Sequence, residues 1–198
     1  MAQLLVKARI SPNAISIVSL VFAAGAGAAL YFSGRTPPVE RMWLLLLAAA
    51  GIQLRLLCNM LDGMVAVEGG RQTKSGEVFN DLPDRIADTL IFIGAGYAAW
   101  DHPHALELGY AAAVLAVFTA YVRMLGGASG LQQSFIGPMA KQQRMAVLTI
   151  VCLLSPWETR FQLSSGAILW TALIAINLGC VVTIIRRTAR ILRELESR

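Results

Sequence analysis

Between Asn59 and Asp88, in a chain otherwise rich in apolar residues, oxygen-bearing side chains recur at helical spacing. Asn59, Asp62, Gly63 and Ala66 lie three, four and seven residues apart, which puts them on one face of a helix. Asn80, Asp84 and Asp88 form an i, i+4, i+8 row, overlapped by a stripe of Glu77, Asp81, Asp84 and Asp88. The short segment between them, with Gly69, Gly70 and Gly76, predicts antiparallel neighbours. At a rise of about 1.5 Å per residue, Asp62 and Asn80 lie about one to two turns in from that segment, and Asn59 and Asp84 a little over two. All four can meet in one pocket. Oxygen ligands, two of them anionic, suit Mg²⁺ or Mn²⁺. Gly63 and Ala66 leave the same face almost bare, with room for a flat or phosphate-bearing ligand to approach the backbone. Acids at membrane depth cost several kcal/mol each, so a cluster of them predicts a cation or charged substrate.

The elements that hold these faces follow from composition. The chain has 198 residues, 56 % of them hydrophobic, with a positive mean hydropathy. This excludes a soluble domain with a small core and predicts an all-α integral membrane protein, a single domain over residues 1–198. Apolar runs predict six transmembrane helices, at roughly 12–33, 41–66, 77–100, 105–126, 141–157 and 164–187. An even number of crossings places both termini on one side. That side carries Lys7, Arg9, Arg71, Lys74, Lys141, Arg144, Arg186, Arg187, Arg190, Arg193 and Arg198, against Arg35, Arg41 and Arg160 opposite. The expectation is therefore a multi-pass protein of the inner (cytoplasmic) membrane, with cytoplasmic termini and a cytoplasm-facing polar cavity.

Trp43, Trp100 and Trp157 fall at the outer ends of spans, as an interfacial belt would, and Trp170 lies deeper, at a core position. The first span follows Lys7 and Arg9 as a leader peptide's would, but its length and the even count argue that it is retained. Its small residues, Ala23 to Ala29, predict close approach of a neighbouring helix. The net charge of +5 suits contact with anionic membrane lipids, whereas scattered basic residues without interleaved aromatics argue against nucleic acid. Cys58, Cys152 and Cys180 show no metal or disulfide pattern and read as core packing.

The polar residues resemble the signature of the CDP-alcohol phosphotransferase family, D-x2-D-G-x2-A-R-x8-G-x3-D-x3-D. Here the same spacing runs from Asn59 to Asp84; Asp62, Gly63, Ala66, Gly76 and Asp84 match, while Asn59, Val67 and Asn80 depart. Ser11, Pro12 and Asn13 before the first span also resemble the family. The resemblance implies an enzyme of phospholipid biosynthesis that transfers the phosphatidyl group of CDP-diacylglycerol, or the substituted phosphate of another CDP-alcohol, to a small polar alcohol and releases CMP. It further implies divalent metal, a homodimer, metal ligation by Asn59, Asp62, Asn80 and Asp84, and a role for Asp84 as ligand or as base toward the acceptor hydroxyl. Such chemistry is mostly positioning and neutralisation of phosphate charge.

The departures concern charge. Each Asn keeps an oxygen near the Asp position but loses an anion, taking the cluster from about minus four to about minus two. Metal binding should weaken, or one ion rather than two should bind tightly. Asp81 and Asp88 are candidates to restore charge, and Arg55, one turn before Asn59, to supply cationic charge where a second metal would otherwise sit. Val67 replaces an arginine, leaving Arg71 or Lys74 to contact the nucleotide together with Asp62, Gly63, Ala66 and Gly76.

Arg123 near the inner end of the fourth span, and Lys141 with Arg144 opening the fifth, are candidates for an acceptor phosphate, as on glycerol 3-phosphate or an inositol phosphate. For Lys141 and Arg144 the positive-inside rule is an equal explanation. Arg186, Arg187, Arg190 and Arg193 read mostly as headgroup anchors. Asp62 and Asp84 can alternatively be a polar tie between helices, which requires Arg55, Arg85 or Arg123 to neutralise them, and Asp88 beside Arg85 can be structural. A non-catalytic CDP-lipid-binding relative, a transferase using CDP-choline or CDP-ethanolamine with diacylglycerol, and a small transporter are the alternatives. No inverted repeat or broken mid-membrane helix supports the transporter.

Overall fold

The computed structural model describes residues 2–7, 11–69 and 76–197, and within them all side chains except those of Ala2, Leu5, Lys7, Glu77 and Asn80. Every regular element among these residues is a helix. They are α1 (Ala2–Lys7), α2 (Pro12–Ser33), α3 (Pro38–Glu68), α4 (Gly76–Ala98), α5 (Ala105–Ala128), α6 (Lys141–Leu154) and α7 (Ala167–Glu196), with a 3₁₀ segment, Ser155–Phe161, after α6. The start of α2 shows why the local sequence suffices. The Ser11 hydroxyl accepts from the Ala14 N–H at 3.2 Å, and Pro12 follows where no N–H is needed.

Each of the six expected spans corresponds to one helix, α2 to α7. Four of these, α2, α3, α5 and α7, are long and apolar enough to cross a membrane. The other two are not, for different physical reasons. Asp81, Asp84, Arg85 and Asp88 load the first half of α4 with charge. At 14 residues, α6 reaches only about 21 Å before Pro156 diverts the chain into the 3₁₀ segment. Conversely α3, at 31 residues or about 46 Å, is longer than a hydrocarbon core of ~30 Å requires, so it must tilt or project.

The helices close into a ring in the spatial order α2, α3, α6, α7, α5, α4, and α1 packs on α3. The α2–α4 contact is backbone on backbone. A Cβ added to Gly27 would lie 2.7 Å from the Leu90 carbonyl oxygen, and one added to Gly94 would lie 2.3 Å from that of Gly27. The small residues expected to admit a neighbouring helix do so. On α5, buried Ala112, Ala113, Ala116 and Ala120 continue this pattern, and Leu45, Ile52, Phe92, Leu148, Leu169 and Ile176 fill the space between helices. The three cysteines are free and buried, consistent with packing. Trp43, Trp100 and Trp157 are exposed, while Trp170 is half-buried and donates its indole N–H to the Pro103 carbonyl.

One buried ion pair closes the tryptophan end. Arg41 donates to the carbonyls of Ser33 and Ala98, the final residues of α2 and α4, at 2.9 and 3.0 Å. Glu158 stands 3.9 Å from Arg41 and accepts the backbone N–H groups of Gly166 and Ile168, capping α7.

Candidate active site

The opposite end of the ring holds the acids. Asn59 and Asp62 come from the last three turns of α3, and Asp81, Asp84 and Asp88 from the first half of α4. Asp84 is the hub. The Asn59 amide nitrogen donates to its Oδ1 and the Lys141 ammonium to its Oδ2. Arg55 reaches Oδ1 at 3.2 Å and the Asp84 carbonyl at 3.3 Å, and Arg85 stands 3.8 Å from Oδ2. Having given its N–H to Asp84, the Asn59 amide keeps a carbonyl oxygen as an acceptor.

The remaining acids are spoken for, with one exception. Asp88 is fully buried between Arg55, at 2.7 Å, and Arg144, at 2.9 Å. Asp81 bridges Arg85, at 3.2 Å, and Arg123, at 2.6 Å. Asp62 is buried against α2, where the Ser16 hydroxyl donates to its Oδ2 at 2.7 Å. Its Oδ1 is buried and has no hydrogen-bond donor among the described residues. A buried carboxylate oxygen without a donor is costly in isolation and is a ready ligand for a hard cation. With the Asn59 carbonyl oxygen and Asp84 nearby on facing helices, the donor chemistry fits a divalent ion.

Beside this cluster lies a cavity of about 660 Å³. Asn59, Asp81 and Asp84 line it together with five cations, Arg85, Arg123, Lys141, Arg144 and Arg187. Asp62 and Asp88 are outside that lining. The cations that belong to the wall therefore outnumber its two carboxylates, and the surplus suits an anionic occupant of phosphate type.

Most residues singled out in the sequence meet here. Arg123, Lys141 and Arg144 share one wall, as their positions predict. Arg144 is almost fully buried, and besides Asp88 it holds the Thr119 hydroxyl at 3.0 Å and the Met139 carbonyl at 2.8 Å. Gly63 is exposed, and a Cβ there would touch nothing within 4 Å among the described residues. Packing does not demand that glycine, and Ala66 beside it is only half-buried. Gly76 opens α4. Arg71 and Lys74 lie outside the described residues, as does the side chain of Asn80.

Three readings change. Asp81 and Asp88 are candidates to restore lost anionic charge, but each is already matched by two arginines. Of Arg55, Arg85 and Arg123, the cations that a polar tie through Asp62 and Asp84 requires, Arg55 and Arg85 stand at Asp84, whereas Arg123 pairs with Asp81 and Lys141 takes its place. Arg187, grouped with the headgroup anchors, is 3 % exposed and lines the cavity, donating to the carbonyls of Ile136 and Thr119. Arg186, Arg190 and Arg193 are exposed, as anchors should be. The available signal for Arg187 was its i, i+4 spacing from Thr183 and Ile191, both buried on the same face of α7. Thr183 in turn accepts the Met139 N–H at 3.0 Å, so α7 braces the segment before α6 at two points.

Comparison with known proteins agrees with this architecture. A phosphatidylinositol phosphate synthase of Mycolicibacterium smegmatis is 25 % identical over 196 residues, covering 94 % of this chain and 79 % of its own. The crystal structure of Mycobacterium tuberculosis phosphatidylinositol phosphate synthase (PgsA1) in complex with manganese and citrate superposes with a TM-score of 0.79 at 21 % identity, over 96 % of this chain and 87 % of that one. The same enzyme with CDP-DAG bound gives 0.76 at 21 % identity, over 96 % and 90 %. Its four long apolar helices make this chain a multi-pass membrane protein. The family model for CDP-alcohol phosphatidyltransferase matches residues 9–185, taking in both acid-bearing helices and the basic wall from Arg123 to Arg144, and the chain belongs to that family.

Proposed function

We propose that this protein transfers the phosphatidyl group of CDP-diacylglycerol to the hydroxyl of a small alcohol that itself carries phosphate, such as glycerol 3-phosphate or an inositol phosphate, and releases CMP. The observation that carries this reading is the cation surplus of the cavity beside Asp84. An uncharged acceptor would not require it, because Asp81, Asp84 and Asp88 are already neutralised. The relatives that act as phosphatidylinositol phosphate synthases support the same acceptor class.

Asp62, Asn59 and Asp84, with Asn80 on the same helix as Asp84, hold one or two ions of Mg²⁺ or Mn²⁺. When bound, the metal neutralises pyrophosphate charge and stabilises the departing CMP. Asp84 takes the proton of the acceptor hydroxyl. Arg123, Lys141, Arg144 and Arg187 hold the acceptor phosphate. Gly63, Ala66 and Gly76 leave the backbone open to the nucleotide, whose phosphates Arg71 and Lys74 contact. The chain crosses the inner membrane six times as one domain, residues 1–198, with its termini and cavity facing the cytoplasm, and it pairs as a homodimer. The asymmetry of basic residues between the two sides supports that orientation.

The test incubates purified protein with CDP-diacylglycerol and Mn²⁺ and measures CMP release across glycerol, glycerol 3-phosphate, inositol and inositol phosphate. A further arm offers CDP-choline or CDP-ethanolamine with diacylglycerol. Release confined to phosphorylated acceptors is expected; equal release with glycerol or inositol would overturn the acceptor assignment. A second reading, a non-catalytic CDP-lipid-binding relative, is favoured by the engagement of both Asp84 oxygens. CMP release abolished by Asp84→Asn would eliminate it.

A further inference from the structure

Three acids from one helix meet five basic side chains in unequal shares, and the shares limit how much metal the cluster can take. Asp88 is enclosed by Arg55 and Arg144, and Asp81 by Arg85 and Arg123. Neither has charge left to offer a divalent ion. Asp84 faces a cation on each oxygen, Arg55 at 3.2 Å on Oδ1 and the Lys141 ammonium on Oδ2. Arg55 is fully buried, and a guanidinium does not give up its proton, so its positive charge is a permanent part of the site. An ion seated on the Asp84 side would face that charge at close range in a poorly screened interior, and the repulsion is doubled for a divalent ion. The positions that would offset it carry neutral amides, Asn59 and Asn80. Asp62 keeps a buried Oδ1 with no donor and, unlike Asp88, whose donor-free Oδ1 stands 2.7 Å from Arg55, it has no cation within ion-pair distance among the described residues; its Oδ2 accepts from Ser16 on α2.

We infer that this site holds a single divalent ion, on Asp62 and Asn59, and that Arg55 and Lys141 are fixed counter-cations in place of a second. Arg55 is thus a positioning residue: it acts on bound phosphate through Asp84 and through its charge. The inference rests on the transferase reading, but its test is separate.

The experiment titrates Mn²⁺ into the purified full chain, counts bound ions by equilibrium dialysis with elemental analysis, and records the electron paramagnetic resonance spectrum of the bound ion. CMP release is measured on the same preparation. One Mn²⁺ per chain, with a spectrum free of the broadening that two adjacent ions cause, is expected. Asp62→Asn, which keeps the shape of the side chain, should weaken that ion by more than the ~10- to 100-fold typical of losing an outer-shell partner. The combined variant Asn59→Asp, Asn80→Asp, Lys141→Met should take up a second ion and show the broadened spectrum. Two tightly bound ions in the unaltered protein, together with CMP release, would overturn the single-ion inference and leave the transferase reading standing. CMP release with no bound ion would do the same. Absence of both binding and release would overturn the two together.

Discussion

Two buried ion clusters sit at opposite ends of α3, and they use charge differently. At the tryptophan end, Arg41 and Glu158 form a closed account of one cation and one anion. Every contact they make besides Ser155 and each other is to backbone: Arg41 ties the ends of α2 and α4, and Glu158 caps α7. At the other end the acids are met by basic side chains, while Arg55, Arg144 and Arg187 also reach backbone carbonyls, and the wall beside Asp84 carries more cations than anions around an open cavity. Burial of charge alone therefore does not mark a site. A balanced pair spent on helix ends is structural, whereas a surplus facing a cavity calls for a charged ligand.

The largest expected effect separates the two ends by stability. Glu158→Leu strands Arg41 and uncaps α7, and should cost about 3–5 kcal/mol, read as a lowered unfolding midpoint in detergent, with CMP release per folded molecule unchanged. Asp84→Asn should do the converse, lowering CMP release ~10²–10³-fold with a smaller change in midpoint, because Arg55 and Arg144 still pair with Asp88. Comparable stability losses from both variants would dissolve the distinction. Arg123→Gln should raise the KM for a phosphorylated acceptor about tenfold, the scale of one charge-assisted hydrogen bond, and change the KM for CDP-diacylglycerol less. Smallest of all, Arg190→Gln removes an exposed i, i+4 pair with Glu194 and a long, exposed hydrogen bond to the Ser134 hydroxyl, and should shift the unfolding midpoint by the equivalent of no more than about 0.5 kcal/mol.

How far the site can be read in the sequence differs from residue to residue. Asn59, Asp62 and Asp84 are legible because helical spacing alone places them on faces that two antiparallel neighbours must share. The basic wall is legible in part: Lys141 and Arg144 announce themselves by their position at the start of a helix, which the positive-inside rule explains equally well. Arg187 is legible only through its i, i+4 spacing from Thr183 and Ile191, because its place among the arginines of the helix end suits a headgroup anchor equally well. The neutralisation of Asp81 and Asp88 is not legible, because Arg55, Arg123 and Arg144 lie on three other helices. Their pairing depends on how the ring closes.

The sequence by itself determined the helices, the small-residue faces that let α2 and α4 touch, and the spacing of the acids, since each depends on residues within a few turns of one another. Only the tertiary structure decided which cation meets which acid, that Asp62 keeps an oxygen without a donor, and that Arg187 faces inward. Those outcomes depend on distances between helices far apart in the chain, and electrostatic energy at a few ångströms changes too steeply with distance for composition or periodicity to stand in for it.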